Sequence, residues 1–168
     1  MKIGVLSDTH ISGNCSEIPA AVVDVFKGVD MIVHAGDLVD LSVLRKLQGL
    51  CPDVKAVAGN MDHEEVRGLL SEKMVFEASG FFIGLIHGYG PPDQLLKRLA
   101  EVFKKDKVDV IIFGHSHQPM NEKIGDTLYF NPGSPTDTVF APYCSYGIIE
   151  INGKIKASIV KIKGTVPR

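Results

Sequence analysis

The chain has 168 residues, of which 45% are hydrophobic and 23% are charged, and its formal net charge is −2. These values are close to those of ordinary globular proteins, so they exclude a disordered or fibrous chain. They also argue against binding to extended nucleic acid, which calls for a basic face. Since a domain usually takes about 100 to 200 residues, we expect a single domain over residues 1–168.

The N-terminal segment lacks the long apolar region and the small-residue cleavage site of a signal peptide. No later run is long and apolar enough to span a bilayer, so we expect a cytoplasmic protein without a membrane segment. The three cysteines, Cys15, Cys51 and Cys144, show no close pairing. This pattern argues against a disulfide framework or a zinc ribbon and predicts three reduced thiols with no shared role.

The first half of the chain alternates between strand and helix patterns. Strands are predicted over residues 2–6, 31–34 and 54–58, and helices over about 19–26 and 41–47. This βαβαβ order implies parallel pairing with right-handed crossovers.

The second half combines hairpin patterns with one further helix. A hairpin is predicted from residues 74–78 and 81–86, a helix over 93–105 and an apolar strand over 108–113. Turn signals at Gly125-Asp126 and Asn152-Gly153 predict antiparallel hairpins in the final third. From pattern alone, we expect the parallel and antiparallel parts to form two sheets of one domain.

Seven residues able to hold metal ions lie at or just past the ends of predicted strands. They are Asp8, His10, Asp37, Asn60, His87, His115 and His117. Because parallel strands release their loops at one edge of a sheet, these side chains can converge there. Asp, Asn and His are all suitable ligands for divalent metals. The sequence therefore predicts a two-metal hydrolytic site.

Each of these signals is ambiguous by itself. Asp8-Thr9-His10 also fits an Asx turn, and Gly36-Asp37 is a common helix-capping pair. Asn60 alone fits a left-handed turn better than a metal site. The most specific signal is Gly114-His115-Ser116-His117, because core histidines usually occur singly. The coincidence of all these signals at strand ends carries the prediction.

Two further histidines are not assigned as ligands. His34 lies inside a predicted strand, so we interpret it as a hydrogen-bonded core histidine or as a support for a ligand. His63 precedes Glu64 and Glu65, and we interpret it as a solvent-exposed residue at the first turn of a helix.

The order of the blocks resembles that of the calcineurin-like metallophosphoesterases. The blocks are Asp8-Thr9-His10, Gly36-Asp37, Gly59-Asn60-Met61-Asp62, His87-Gly88 and Gly114-His115-Ser116-His117. The short chain and Asn131-Pro132-Gly133-Ser134 are most similar to the small bacterial and archaeal phosphodiesterase branch. This resemblance implies an α/β (α+β) fold, namely a four-layer αββα sandwich of two mixed β-sheets flanked by helices, with a dinuclear site at one edge.

The same resemblance implies how the ligands are shared between two divalent metal ions. One ion would take Asp8, His10 and His117, the other would take Asn60, His87 and His115, and Asp37 would bridge them. The donor set does not choose the metal; Mn2+ is favoured, and Ni2+, Fe or Zn2+ are also compatible. Metal-bound hydroxide would be the nucleophile, so no side chain is assigned a catalytic role. Asp62 would orient groups near Asn60.

Met61 departs from the pattern of the larger enzymes. In the phosphatases and nucleases of this superfamily, the Asn is followed by a His that assists the transition state or the leaving group. A thioether cannot donate a proton, although the small phosphodiesterase branch also commonly replaces this His, usually by Cys. Because general acid catalysis contributes about 10² to 10⁴-fold, the sequence predicts slow turnover or a need for a good leaving group.

The predicted activity is hydrolysis of a phosphodiester bond in a small phosphate ester. Two alternatives stay open. One is a catalytically weak scaffold, as in the retromer subunit of the same fold, and the other is a phosphomonoesterase, since the same metals bind either ester. We also expect a homodimer, because the C-terminal antiparallel strands could offer an edge.

Overall fold

The computed structural model describes residues 1–12 and 17–163, which form ten strands and four helices. In chain order they are β1 (Lys2–Leu6), α1 (Ala20–Phe26), β2 (Met31–His34), α2 (Leu41–Leu50), β3 (Val54–Ala56), α3 (Glu64–Leu69), β4 (Lys73–Ala78), β5 (Phe81–Ile86), α4 (Pro92–Phe103), β6 (Val110–Ile112), β7 (Met120–Ile124), β8 (Thr127–Asn131), β9 (Ser145–Ile151) and β10 (Ile155–Lys161). Cys15 lies outside the described residues, whereas Cys51 and Cys144 are buried free thiols.

The strands form two five-stranded sheets. The first has the order β10-β9-β1-β2-β3 and the second has the order β4-β5-β6-β8-β7. β1 pairs in parallel with β2, and β2 with β3, as the βαβαβ pattern predicts. The three predicted hairpins, β4–β5, β7–β8 and β9–β10, all form.

One prediction about the sheets is wrong, since the parallel and antiparallel parts do not form separate sheets. The hairpin β9–β10 joins the first sheet, where β9 pairs antiparallel with β1. In the second sheet, β6 is parallel to both β5 and β8. Local patterns identify a hairpin, but they do not say which sheet edge it will cover.

The two sheets pack face to face, with helices on their outer faces. Ile3 and Val5 of the first sheet share a buried cluster with Ile83 and Leu85 of the second. A second cluster packs α1 and α2 on the first sheet, and a third packs α4 on the second. The predicted four-layer αββα sandwich of two mixed sheets is confirmed.

The helices follow the apolar spacing of the sequence. In α4, the buried residues Leu95, Leu99 and Phe103 recur every fourth position on the face that meets the sheet. α2 is three residues longer than predicted, and the Asp40 carboxylate caps it by accepting a hydrogen bond from Ser42 N at 2.7 Å. None of the helices in the described ranges is long and apolar enough to cross a membrane.

Candidate metal centre

The seven predicted ligand residues lie together at one edge of the two sheets. They follow strands β1, β2, β3, β5 and β6, and side-chain contacts of 4.0 Å or less connect all seven. Segments separated by more than a hundred residues meet here because the parallel strands of both sheets end at this edge.

The first group consists of Asp8, His10 and His117, whose ligand atoms all lie within 4.8 Å of one another. The two imidazole Nε2 atoms are 3.2 Å apart, and His117 Nε2 is 3.4 Å from Asp8 Oδ1. Asp8 is fully buried, whereas the two histidines are partly exposed. Two ring nitrogens and a carboxylate oxygen therefore face one point at the protein surface.

The second group consists of Asp8, Asp37 and His87, and all three residues are buried. His87 Nε2 lies 3.2 Å from Asp37 Oδ2 and 3.9 Å from Asp8 Oδ1. The same Asp37 oxygen is 3.6 Å from His10 Nε2. The Asp37 carboxylate thus lies between the histidines of the two groups.

Asn60 and His115 extend the second group toward solvent. Asn60 Oδ1 is 3.1 Å from His87 Nε2 and 3.0 Å from His115 Nδ1. The backbone N–H of His115 also donates to both carboxylate oxygens of Asp8, at 3.1 Å each. An amide oxygen between two imidazole nitrogens completes a set of N and O donors.

Hydrogen bonds fix the orientation of three of the imidazole rings. His87 Nδ1 donates to the Ala35 carbonyl at 2.8 Å, and His115 Nε2 donates to the Gly90 carbonyl at 3.0 Å. His117 Nδ1 donates to the Asp137 carboxylate. Since a carbonyl oxygen only accepts, each ring turns its other nitrogen toward the cluster. This is the arrangement of metal-ligating histidines, so the residues fit a divalent metal centre.

The electrostatics of the cluster favour positive charge. Burial opposes protonation of His117, but hydrogen bonds and charge attraction from Asp8 and Asp137 outweigh it and raise its pKa to about 9. The pKa of His87 is also raised, since the attraction of Asp37 and Asp8 exceeds the effect of burial. Burial tends to raise the pKa of Asp37, but the hydrogen bond and the charge attraction of His87 have the larger effect. The pKa of Asp37 is therefore lowered. Bound cations would supply the same positive charge.

The backbone at the cluster is strained. Among the described residues, seven non-glycine residues have positive φ, and five of them are predicted ligands, namely Asp8 (55°), His10 (45°), Asp37 (56°), His115 (67°) and His117 (56°). Such conformations are uncommon for non-glycine residues and cost of order 1–3 kcal/mol each. Their concentration here indicates that the fold holds these side chains in a set geometry.

Asp62 joins two of the ligand loops. Its carboxylate, 5% exposed, accepts hydrogen bonds from the backbone N–H groups of Asp37 at 3.1 Å, Val39 at 2.5 Å and Gly59 at 2.7 Å. It therefore fixes the loop after β2 against the loop after β3. The sequence predicts a supporting role near Asn60, and the bonds that Asp62 makes hold the Asp37 loop as well.

Sequence reasoning missed Asp137. This residue lies in the loop after β8 and contacts His117 Nδ1, and its carboxylate also accepts from the backbone N–H groups of Val139, Phe140 and Ala141. An acidic residue in a Pro-rich loop, twenty positions from its histidine, carries no local signal of this contact. In the sequence, the neighbouring Asn131-Pro132-Gly133-Ser134 segment was noted as similar to the small phosphodiesterase branch, but it did not indicate a role for Asp137.

The Asn131-Pro132-Gly133-Ser134 segment forms hydrogen bonds with the backbone of two ligand loops. The buried Asn131 side chain donates through Nδ2 to the Gly114 carbonyl at 2.9 Å, and Ser134 Oγ donates to the Asp8 carbonyl at 2.7 Å. These bonds hold the loops after β6 and β1.

The interpretations of the other histidines are confirmed. His34 is fully buried; its Nδ1 accepts from Gly36 N at 3.2 Å, so its Nε2 donates to Thr9 Oγ1 at 3.2 Å. Burial lowers the pKa of His34 to about 3, which keeps the ring neutral. His63 is exposed immediately before α3. Met61 is 57% exposed, and its backbone N–H donates to Asp37 Oδ1 at 2.7 Å.

An αββα sandwich with Asp, Asn and His side chains gathered at the strand ends defines a fold and site of the metallohydrolase type. Residues 1–154 match the model of the calcineurin-like phosphoesterase superfamily domain, and the chain belongs to this family.

Three known proteins are similar to this chain. A probable metallophosphoesterase of Methanothermobacter thermautotrophicus is 41% identical over 100% of this chain and 96% of its own length. A phosphodiesterase of Methanocaldococcus jannaschii is 29% identical over 79% of this chain and 83% of its own. The crystal structure of Vps29 from Entamoeba histolytica complexed with Zn2+ superposes with a TM-score of 0.75 at 25% identity, covering 96% of this chain and 99% of that one.

Proposed function

We propose that this protein is a metal-dependent phosphodiesterase with a dinuclear centre. The observation that carries the proposal is the position of the Asp37 carboxylate, between His87 Nε2 at 3.2 Å and His10 Nε2 at 3.6 Å. Membership of the phosphoesterase family and the similarity to a named phosphodiesterase support this activity.

The seven ligand residues would hold two divalent metal ions as the sequence predicts, with Asp37 between them. When bound, such ions would lower the pKa of a water molecule, so that hydroxide could serve as the nucleophile, and they would offset the charge of the phosphate oxygens. Mn2+ remains the favoured metal among those compatible with N and O donors.

The protein's own groups orient the reaction. The Ala35 and Gly90 carbonyls and the Asp137 carboxylate hold the three rings that face the cluster. Asn60 turns Oδ1 toward His87 and His115, and its Nδ2 amide can donate to a phosphate oxygen. No proton donor occupies the place of Met61, so the leaving group departs without general acid assistance.

The scaffold alternative receives less support. Vps29 shares the fold, but all seven ligand residues are present here and lie in contact with one another. The similarity to a probable metallophosphoesterase and to a phosphodiesterase favours the enzyme. The preference for a diester over a monoester, the cytoplasmic location and the homodimer remain predictions from the sequence.

Hydrolysis of bis(4-nitrophenyl) phosphate tests the proposal. Activity should disappear after chelation, return with added Mn2+, and fall by several orders of magnitude in Asp37→Asn. Asp126→Asn, in the exposed turn between β7 and β8, is the matched control and should keep full activity. Hydrolysis by the metal-free protein, or an active Asp37→Asn variant, would refute the proposal. Comparison with 4-nitrophenyl phosphate decides between diester and monoester.

A further inference from the structure

A pocket of about 410 Å³ opens directly beside the candidate metal centre. Asn60 and His87 form the wall that it shares with the cluster, and Arg67, Glu72 and Tyr89 line it further out. Ligand pockets typically measure about 300–1,000 Å³, so this space can hold an organic group attached to a phosphate. A phosphate held at the cluster would place one of its ester arms here.

Arg67 supplies an unused positive charge to this pocket. It lies in the last turn of α3 and is exposed. Within the described part of the chain, its guanidinium has no hydrogen-bond or ion-pair partner. The other arginine near the pocket, Arg98, is by contrast already bonded to Gln94 Oε1 at 2.9 Å. A guanidinium with five free donors is suited to bind a phosphate in a bidentate manner.

Tyr89 supplies an aromatic surface. Its side chain is 54% exposed, and it separates this pocket from a smaller depression of about 260 Å³ lined by Arg98 and Lys97. The Arg98 guanidinium lies 5.7 Å from the ring centroid and so covers one face of the ring. The remaining exposed surface can stack on a flat ring, an interaction worth about 1–3 kcal/mol for a nucleobase.

Glu72 adds an acceptor to the same wall. Its carboxylate is exposed and, among the residues that the structure describes, has no partner either. A carboxylate of this kind accepts hydrogen bonds from sugar hydroxyls. One pocket thus offers an aromatic ring for stacking, a carboxylate that accepts hydrogen bonds from hydroxyl groups, and a guanidinium that donates hydrogen bonds to a phosphate.

We propose that this pocket is a nucleotide subsite: it takes a nucleoside arm of the substrate that carries a second phosphate, with Tyr89 on the base, Glu72 on the ribose and Arg67 on that phosphate. The inference rests on the proposed function in one respect: it assumes that the first phosphate of the substrate binds at the metal centre. It narrows the substrate class to small esters of phosphorylated nucleosides.

Calorimetric titration of the Mn2+-loaded protein with AMP and with adenosine 3′,5′-bisphosphate tests the second phosphate contact. These probes differ by one phosphate group. Because hydrogen bonds to charged groups contribute about 1.5–3 kcal/mol, the bisphosphate should bind ~10-fold or more tightly. This difference in affinity between the two probes should disappear in Arg67→Met and return in part in Arg67→Lys. It should persist in Arg45→Met, the charge-matched control on α2.

Tyr89→Ala tests the aromatic contact. It should weaken binding of AMP while leaving that of ribose 5-phosphate unchanged. Tyr143→Ala is the matched control, since Tyr143 also lies beneath a cation, Lys161 Nζ at 4.9 Å, and does not line the pocket. Thermal midpoints of all variants report whether they fold.

Equal affinity of the wild type for the two probes, or a gain that survives in Arg67→Met, would overturn the subsite. These outcomes are separate from failure of the proposed function, because hydrolysis of bis(4-nitrophenyl) phosphate is measured on the same preparations. That substrate has no second phosphate, so its turnover by the wild type reports on the metal centre whatever the two nucleotide probes show.

Discussion

His117 donates its Nδ1–H to Asp137, and the same carboxylate accepts the backbone N–H groups of Val139 at 2.7 Å and Ala141 at 3.1 Å. A loop from the C-terminal third of the chain therefore fixes the ring of a metal ligand. It leaves His117 Nε2 facing Asp8 at 3.4 Å.

Removal of this support should weaken metal binding without removing a ligand. We expect Asp137→Ala to lower the affinity for Mn2+ by roughly 10 to 100-fold, the usual effect of losing a partner of a ligating histidine. Metal titration followed by calorimetry measures the change. Asp126→Ala, which removes an exposed carboxylate far from the cluster, should bind Mn2+ as the wild type does. Unchanged affinity in Asp137→Ala would contradict this role.

The raised pKa of His117 predicts how pH acts on the metal-free protein. The folded-state pKa of about 9 lies above the ordinary value of 6.5. Protonation therefore stabilises the folded state fully below pH 6.5, and this stabilisation is lost as the pH rises toward 9. Urea unfolding in the presence of a chelator should show a free energy of unfolding that falls over this interval.

Mn2+ should show the opposite trend, since it competes with the proton on His117. Its apparent affinity should rise between pH 6.5 and 9, with protons released on binding. The low pKa values of Asp37 and Asp137 affect stability only at acid pH, outside this window. His117→Gln is the control: the pH dependence of unfolding should decrease, and the part that remains should come from His87, whose pKa is also raised. Metal-free wild type that becomes more stable toward pH 9 would contradict the prediction.

A histidine in place of Met61 should restore a proton donor. Met61 is 57% exposed beside Asn60, so the imidazole of Met61→His has room next to the cluster. We expect kcat for diesters with poor leaving groups to rise by about 10²-fold, the lower end of general acid catalysis. Hydrolysis of bis(4-nitrophenyl) phosphate should change little, because its leaving group needs no proton. Met61→Leu controls for loss of the thioether, and an equal gain with both substrates would argue against proton donation.

Gly59 provides the space that Asp37 occupies. A Cβ at Gly59 would lie 2.2 Å from Asp37 Oδ1 and 2.5 Å from its backbone N. Gly59→Ala should therefore displace Asp37, with loss of metal binding and destabilisation of about 1–3 kcal/mol.

A Cβ at Gly49 in α2 would meet nothing within 4 Å, so Gly49→Ala should stabilise the protein by roughly 0.5–1 kcal/mol. Metal titration and urea unfolding compare the two variants.

Much of this arrangement could be predicted from the sequence, because it follows from local patterns. The apolar runs before Asp8 and Asp37 predicted the bounds of β1 and β2 correctly. Because the polar residues come directly after these strands, they were expected at an edge of the sheet. The buried role of His34 followed from its place within a strand. Short-range rules suffice wherever a residue's environment is set by its own element.

Long-range contacts could not be predicted in this way. Nothing local in the hairpin β9–β10 indicates that it covers β1, or that Asp137 reaches His117. The pocket with Arg67 and Tyr89 likewise depends on how α3 meets the loop after β5. Such contacts depend on packing between distant segments, which sequence periodicity does not encode.

The number and position of bound metal ions test the central claim most directly. Crystals grown with Mn2+ should show two anomalous peaks, both in contact with Asp37, one also against Asp8, His10 and His117 and the other also against Asn60, His87 and His115. A single peak, no peak after reconstitution, or two peaks that do not share Asp37 would contradict a dinuclear phosphodiesterase centre.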